Sequence, residues 1–152
     1  PVVESVVEVM DADAARKGIR LSYDVVDDPL RVFVDPDRIK QVLTNLIANA
    51  INYTDEGGVI EVKIEIASDE PDKPAGCVHI TVKDSGVGIS PDDLTEVFKA
   101  FFRAETGTKG MGLGLNIARE IMLHHEGDIT VESILGEGST FTIHIPLLPA
   151  LA

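Results

Sequence analysis

Asn45, Asn49 and Asn52 fall at i, i+4 and i+7 of one stretch, so on a helix they share a stripe. Asparagine is a mediocre helix former, because its amide competes for backbone hydrogen bonds. Three in one stripe can serve as oxygen ligands for Mg²⁺ or as donors to a polar ligand. The plain alternative is a polar helix edge with satisfied amides. A second set is Asp84-Ser85-Gly86-Val87-Gly88-Ile89. Period two along the preceding residues puts Asp84 on the side of Val78, Ile80 and Val82, so a carboxylate is aimed at the covered face. That is costly unless the acid meets a donor. A ligand amino group is one candidate, and a carboxylate capping a turn is the other. The third set is Gly110-Met111-Gly112-Leu113-Gly114-Leu115, preceded by Thr106-Gly107-Thr108-Lys109. Ile117, Ala118, Ile121 and Met122 follow at helical spacing, and Gly127 is placed to end that helix at C′. A glycine-rich loop feeding a helix N-terminus suits an anion, phosphate above all; a flexible linker is the alternative.

The remaining elements must position these groups. Val2, Val3, Val6, Val7, Met10 and Ala14 form a helical apolar stripe ended by Gly18. The chain starts inside this pattern, which predicts a piece of something longer. Leu21, Tyr23 and Val25 alternate, as do Leu30, Val32 and Val34 beyond Asp27-Asp28-Pro29, predicting a hairpin of two short strands. Asp35-Pro36 starts a helix that should run to about Tyr53, with the asparagines beside its buried face. Ile60 to Ile66 and Val78 to Val82 read as strands, His79 as a surface residue, and residues 68–76 as a loop. Ser90 caps a further helix leading to Phe98, Phe101 and Phe102. Ile129, Val131 and Ile134, the turn Gly136-Glu137-Gly138, and Phe141, Ile143 and Ile145 give two last strands, with His144 facing outward. The fold class is therefore an α/β (α+β) two-layer sandwich, with a mixed β-sheet and helices on one face, in a single domain spanning 1–152.

Twenty-six acidic against 13 basic residues give a net charge of −13, which argues against nucleic acid as a partner. A phosphorylated ligand would need a metal or local cations to offset that charge. No apolar run approaches the roughly 18 residues of a membrane span. The lone Cys77 excludes an internal disulfide and fits a reducing compartment, and the four histidines show no metal-ligand spacing.

Taken together, these segments resemble the ATP-binding catalytic domain of sensor histidine kinases. Asp35-Pro36-Asp37-Arg38 through Asn45-Leu46-Ile47-Ala48-Asn49-Ala50 resembles the family's N box. Asp84 to Ile89 resembles its G1 box, Val97-Phe98-Lys99-Ala100-Phe101-Phe102-Arg103 its F box, and Gly110 to Leu115 its G2 box. Gly136-Glu137-Gly138-Ser139-Thr140-Phe141 resembles the closing glycine motif. Each box is weak singly; five in order over nearly the whole chain are specific.

The resemblance implies the Bergerat ATP-binding fold and an ATP lid from about Phe98 to Met111. It implies ATP and Mg²⁺ as ligands, with Asn49 coordinating the metal and Asn45 beside it near the phosphates. It assigns Asp84 to the adenine amino group, with Gly86 and Gly88 making room for the purine and Ile89 in the same box. Gly110, Gly112 and Gly114 wrap the phosphates, with Met111, Leu113 and Leu115 among the ATP-binding residues; Arg103 contacts the γ-phosphate, Tyr53 lies near the nucleotide and Thr140 near the adenine. The reaction implied is transfer of the γ-phosphoryl group to a histidine of a separate dimerisation domain, then signalling to a response regulator. A cytoplasmic location, no membrane contact by this domain, a monomer in isolation and a homodimer at full length are implied with it.

Two features depart from the family. Asn52 stands where lysine is frequent, so Lys109 is the candidate to supply the missing charge. None of His79, His124, His125 or His144 has the acceptor's acidic context, so the phosphoacceptor lies outside this chain. Two rival functions fit the sequence less well. The related hydrolytic ATPases carry a general-base glutamate where Asn45 stands, and asparagine cannot take a proton from water. A degenerate binding module is favoured by Asn52 alone.

Overall fold

The computed structural model describes residues 2–24, 36–67, 77–94, 96–98, 114–124 and 127–146. Among these residues, four helices and five strands follow in the order α1 (Val2–Arg16), β1 (Arg20–Asp24), α2 (Pro36–Tyr53), β2 (Val59–Ala67), β3 (Cys77–Asp84), α3 (Pro91–Leu94), α4 (Gly114–His124), β4 (Asp128–Ile134) and β5 (Gly138–Pro146). The strands form one mixed sheet ordered β1-β2-β3-β5-β4. The expected α/β two-layer sandwich is observed, with α1, α2 and α4 layered on one face.

Period two explains the core. Ile64, Ile80, Ile143 and Ile129 stand in one row across the sheet, and Val62, Val82, Phe141 and Val131 in the next. These rows meet Leu43, Leu46 and Ile47 of α2 and Ala118 and Met122 of α4, all fully buried. The opposite face is polar: Lys63, Thr81, Thr142 and Thr130 make one row, Glu65, His79, His144 and Asp128 another.

Helix α1 ends as expected. Gly18, at φ 77°, follows its last turn, and Gly18 and Ile19 donate to the carbonyls of Ala15 and Ala14 at 3.0 and 2.9 Å. That pattern is a Schellman cap. Lys17, in the same turn, reaches across to α2 and donates to the carbonyls of Ile51 (2.7 Å) and Asn52 (3.3 Å). The last turn of α2 has no basic residue of its own, so Lys17 supplies the charge its carbonyl end favours.

Strand β1 pairs with β2, in parallel; the second strand of its expected hairpin falls in residues 25–35, outside the described residues. Two expectations are corrected. The helix after Ser90 is a single turn, Pro91–Leu94, although Ser90 does cap it through the Asp93 N–H at 3.3 Å. Gly127 is not a left-handed C′ residue; its N–H donates to Met122 at 2.8 Å, and a Cβ there would sit 2.2 Å from the His144 carbonyl oxygen. His79 faces the polar side as expected and has a partner there: His144 lies directly opposite, the rings meet edge to face, and Nδ1 of His144 is 3.0 Å from Nε2 of His79.

Candidate functional site

The site forms where α2 ends and β3 runs out into the Ser85–Ser90 loop. Tyr53 closes α2, and its carbonyl accepts the Val87 N–H at 3.1 Å. A Cβ on Gly86 would lie 2.2 Å from that carbonyl oxygen and 2.9 Å from Oδ1 of Asp84. A Cβ on Gly88 would lie 2.2 Å from the Ile134 carbonyl oxygen. The glycines were expected to make room for a purine; what they visibly admit is the chain's own backbone from two sides. The Gly86 turn is thereby fixed to α2 and to the β4–β5 hairpin, where Gly136 donates to Val87 at 2.7 Å.

Asp84 behaves as its position in the strand predicts. It is 3% exposed on the covered face. Oδ1 accepts from the Gly86 N–H at 2.9 Å and the Ser139 N–H at 3.3 Å. Burial pushes its carboxyl above the ordinary value, and those two N–H donors pull it partly back. Both donors use the same oxygen; among the described residues none reaches Oδ2. A buried, oriented carboxylate with one open acceptor is suited to a ligand N–H donor.

The asparagine stripe resolves into three environments. Asn45 and Asn49 are half-buried and Asn52 is exposed. Nδ2 of Asn49 is buried without a hydrogen-bond partner among the described residues, as is Oγ1 of the fully buried Thr54 at the end of α2. Buried polar atoms are rarely left unpaired, so Asn49 has bonding capacity to spare, and as a neutral amide it brings an oxygen suited to a hard cation. Asn45 is engaged within the protein.

Thr140 requires a correction. It pairs with Lys83 on the polar face of the sheet, whereas Ser139 pairs with Asp84 on the covered face and is 5% exposed. Ser139, not Thr140, stands beside the acid. The signal was in the sequence: Phe141, Ile143 and Ile145 face inward, and two residues back from Phe141 is Ser139.

Leu115 packs against the core at the start of α4, Gly114 is that helix's first residue, and Ile89 is buried. Arg103, Lys109, Gly110, Met111, Gly112 and Leu113 lie outside the described residues. Phe98 sets the edge of that region. Its ring meets Phe141 edge to face at 6.2 Å, the Arg119 guanidinium lies 4.8 Å from its centroid, and Asn116 Nδ2 donates to its carbonyl at 3.2 Å. Arg119 also pairs with Asp128 at 3.2 Å. A cleft of about 600 Å³ borders Ser85, Gly86 and Val87, but Asp55 and Glu56 line it and Asp84 does not. Two acids disfavour a phosphate there.

Residues 34–149 match the family of histidine kinase-, DNA gyrase B- and HSP90-like ATPases. Sensor histidine kinase WalK of Bacillus subtilis is 40% identical over 79% of this chain, and RppB of Synechocystis is 41% identical over 85%. The chain spans 20% and 28% of the length of those two relatives. Among solved structures, full-length ShkA in complex with AMPPNP superposes with a TM-score of 0.83 at 30% identity, over 99% of this chain and 30% of that one. The nucleotide-free catalytic domain of histidine kinase ThkA superposes at 0.79 and 32%, over 97% and 93%. ThkA in complex with the response regulator TrrA superposes at 0.75 and 30%, over 97% and 40%.

Proposed function

As the chain belongs to the family of histidine kinase-, DNA gyrase B- and HSP90-like ATPases, we propose that it is the ATP-binding catalytic segment of a sensor histidine kinase. It binds Mg·ATP and gives up the γ-phosphoryl group to a histidine on a separate dimerisation domain. The observation that carries this reading is Asp84, buried, held at Oδ1 by two backbone donors and open at Oδ2. The adenine amino group is the donor that Oδ2 lacks. Tyr53 lies at the same turn, and Ile89 and Ser139 form its covered side.

The phosphates then extend toward Asn45, Asn49 and the Gly110–Leu115 loop, where the α4 N-terminus favours negative charge. Asn49 would hold Mg²⁺, which supplies charge neutralisation at the phosphates. Arg103 and Lys109 add positive charge, which a chain of net charge −13 needs there. In the transfer, the bond from the γ-phosphorus to its bridging oxygen breaks, a bond to the acceptor histidine nitrogen forms, and ADP leaves. Such chemistry rests on positioning and charge stabilisation, so no nucleophile is needed from this chain. Hydrolysis is disfavoured because Asn45 cannot act as a base toward water.

The reading extends to a response regulator as the next partner, in line with the ThkA complex, and to a cytoplasmic site of action. The segment would be a monomer whose full-length protein dimerises through that separate dimerisation domain. Among the described residues no helix is long and apolar enough to cross a membrane. The test is to mix the protein with γ-labelled ATP and a dimerisation domain carrying the acceptor histidine. Acid-labile label on that domain, lost when its histidine is replaced, supports the proposal; label appearing only as free phosphate contradicts it.

A further inference from the structure

Ser133 of β4 makes no hydrogen bond to Asp84 itself, yet its hydroxyl joins the loop and the hairpin that frame that acid. Oγ receives the Ile89 N–H at 2.7 Å, lies 2.9 Å from the Gly138 carbonyl and 2.7 Å from Oγ of Ser139. A hydroxyl has one proton and two lone pairs. All three contacts are satisfied at once only when Ser133 donates to Gly138 and accepts from both Ile89 and Ser139. One side chain thus ties the Ser85–Ser90 loop to the β4–β5 hairpin, and the hairpin presents the Ser139 N–H to Asp84.

That last bond is the weak member, at 3.3 Å against 2.9 Å for the Gly86 bond. Hydrogen bonds fade quickly beyond this length, so a hairpin displaced by a few tenths of an ångström would release it. Gly138 is what lets the hairpin come this close: a Cβ there would lie 2.1 Å from the Asp84 carbonyl oxygen.

Resting on the adenine reading above, we infer that Ser133 is a specificity-determining positioning residue: it keeps the Ser139 N–H on Oδ1 of Asp84, so that the carboxylate stays an acceptor and selects an amino-bearing purine. The chemistry of failure follows. Without that N–H, one of the two groups favouring the ionised acid is gone. A protonated Asp84 can donate to a carbonyl oxygen at the same position of the base, as in hypoxanthine. Selectivity, not merely affinity, is what Ser133 protects.

The experiment is calorimetric titration of wild type, Ser133→Ala and Ser133→Thr with a non-hydrolysable ATP analogue and with its hypoxanthine counterpart. The adenine-to-hypoxanthine affinity ratio should fall about 5- to 10-fold in Ser133→Ala, the worth of one hydrogen bond. Ser133→Thr, which keeps the hydroxyl, should restore it. A general loss of stability would weaken both nucleotides alike and leave the ratio unmoved, and an unmoved ratio overturns the inference. Should Ser133→Ala not fold, Ser133→Cys keeps the volume, weakens the same bonds and is read identically. Failure of the adenine reading looks different: wild type itself would show no preference for adenine, or Asp84→Asn would keep it.

Discussion

Replacing Gly88 and, separately, Gly136 with alanine compares two residues that share a backbone conformation but not a surrounding. Gly88 has φ 74° and Gly136 φ 86°. At Gly136 a Cβ would meet nothing within 4 Å. The variant should therefore lose only the cost of a left-handed alanine, about 1 kcal/mol. In a chain of this size that lowers Tm by roughly 2–4 °C. At Gly88 the same Cβ would sit 2.2 Å from the Ile134 carbonyl oxygen and 2.8 Å from Cα of Leu135, backbone atoms that no rotamer change can move. The hairpin must retreat by roughly 1 Å to reach ordinary contact, at about 1–3 kcal/mol of overpacking. That retreat strains the Gly136-to-Val87 and Ile89-to-Ser133 hydrogen bonds, both 2.7 Å, each worth about 1 kcal/mol. The Gly88→Ala total is about 4–6 kcal/mol, a large share of the 5–15 kcal/mol typical of a domain. Urea unfolding, with midpoints compared at constant slope, measures both. Equal losses in the two variants would refute the claim that Gly88 is required by the hairpin's approach.

Three further outcomes follow from the same structure. Because burial raises Asp84, its folded form resists ionisation; the stability it contributes is full below the ordinary carboxylate range and is lost as pH rises through the raised value. Asp84→Asn should therefore melt higher than wild type at neutral pH, with the gap closing in acid; a lower melting temperature at neutral pH would contradict this. Lys17→Met should cost about 1 kcal/mol in urea unfolding by uncapping α2, and an unchanged midpoint would show the contact to be idle. If Lys109 supplies the charge missing at Asn52, Lys109→Ala should weaken binding of an ATP analogue, and unchanged affinity would remove Lys109 from the site.

The parts legible in the sequence were those set by local rules. Pro36 starts α2 as expected, and the helical spacing from Ile39 to Ala50 carries it to its expected end at Tyr53. Strict alternation from Val78 gives the inward carboxylate of Asp84. What escaped depends on partners far along the chain. Tyr23 and Leu21 alternate as a strand should, but nothing in them says that β1 runs parallel to β2. The acceptors of Lys17 lie 34 and 35 residues away. His79 and His144 both face outward as read, yet only the β3–β5 register makes them a pair. The motif points to Thr140, whereas the period of its own strand points to Ser139. The sequence around Gly86 and Gly88 does not show that a Cβ at either would meet backbone carbonyl oxygens from Tyr53 and Ile134.

The measurement that bears most directly on the central claim is calorimetric titration of wild type and Asp84→Asn with a non-hydrolysable ATP analogue, with and without Mg²⁺. The account predicts magnesium-dependent binding by wild type and its loss in Asp84→Asn while the variant remains folded. Folded wild type that binds no nucleotide, or Asp84→Asn binding as tightly as wild type, would contradict it.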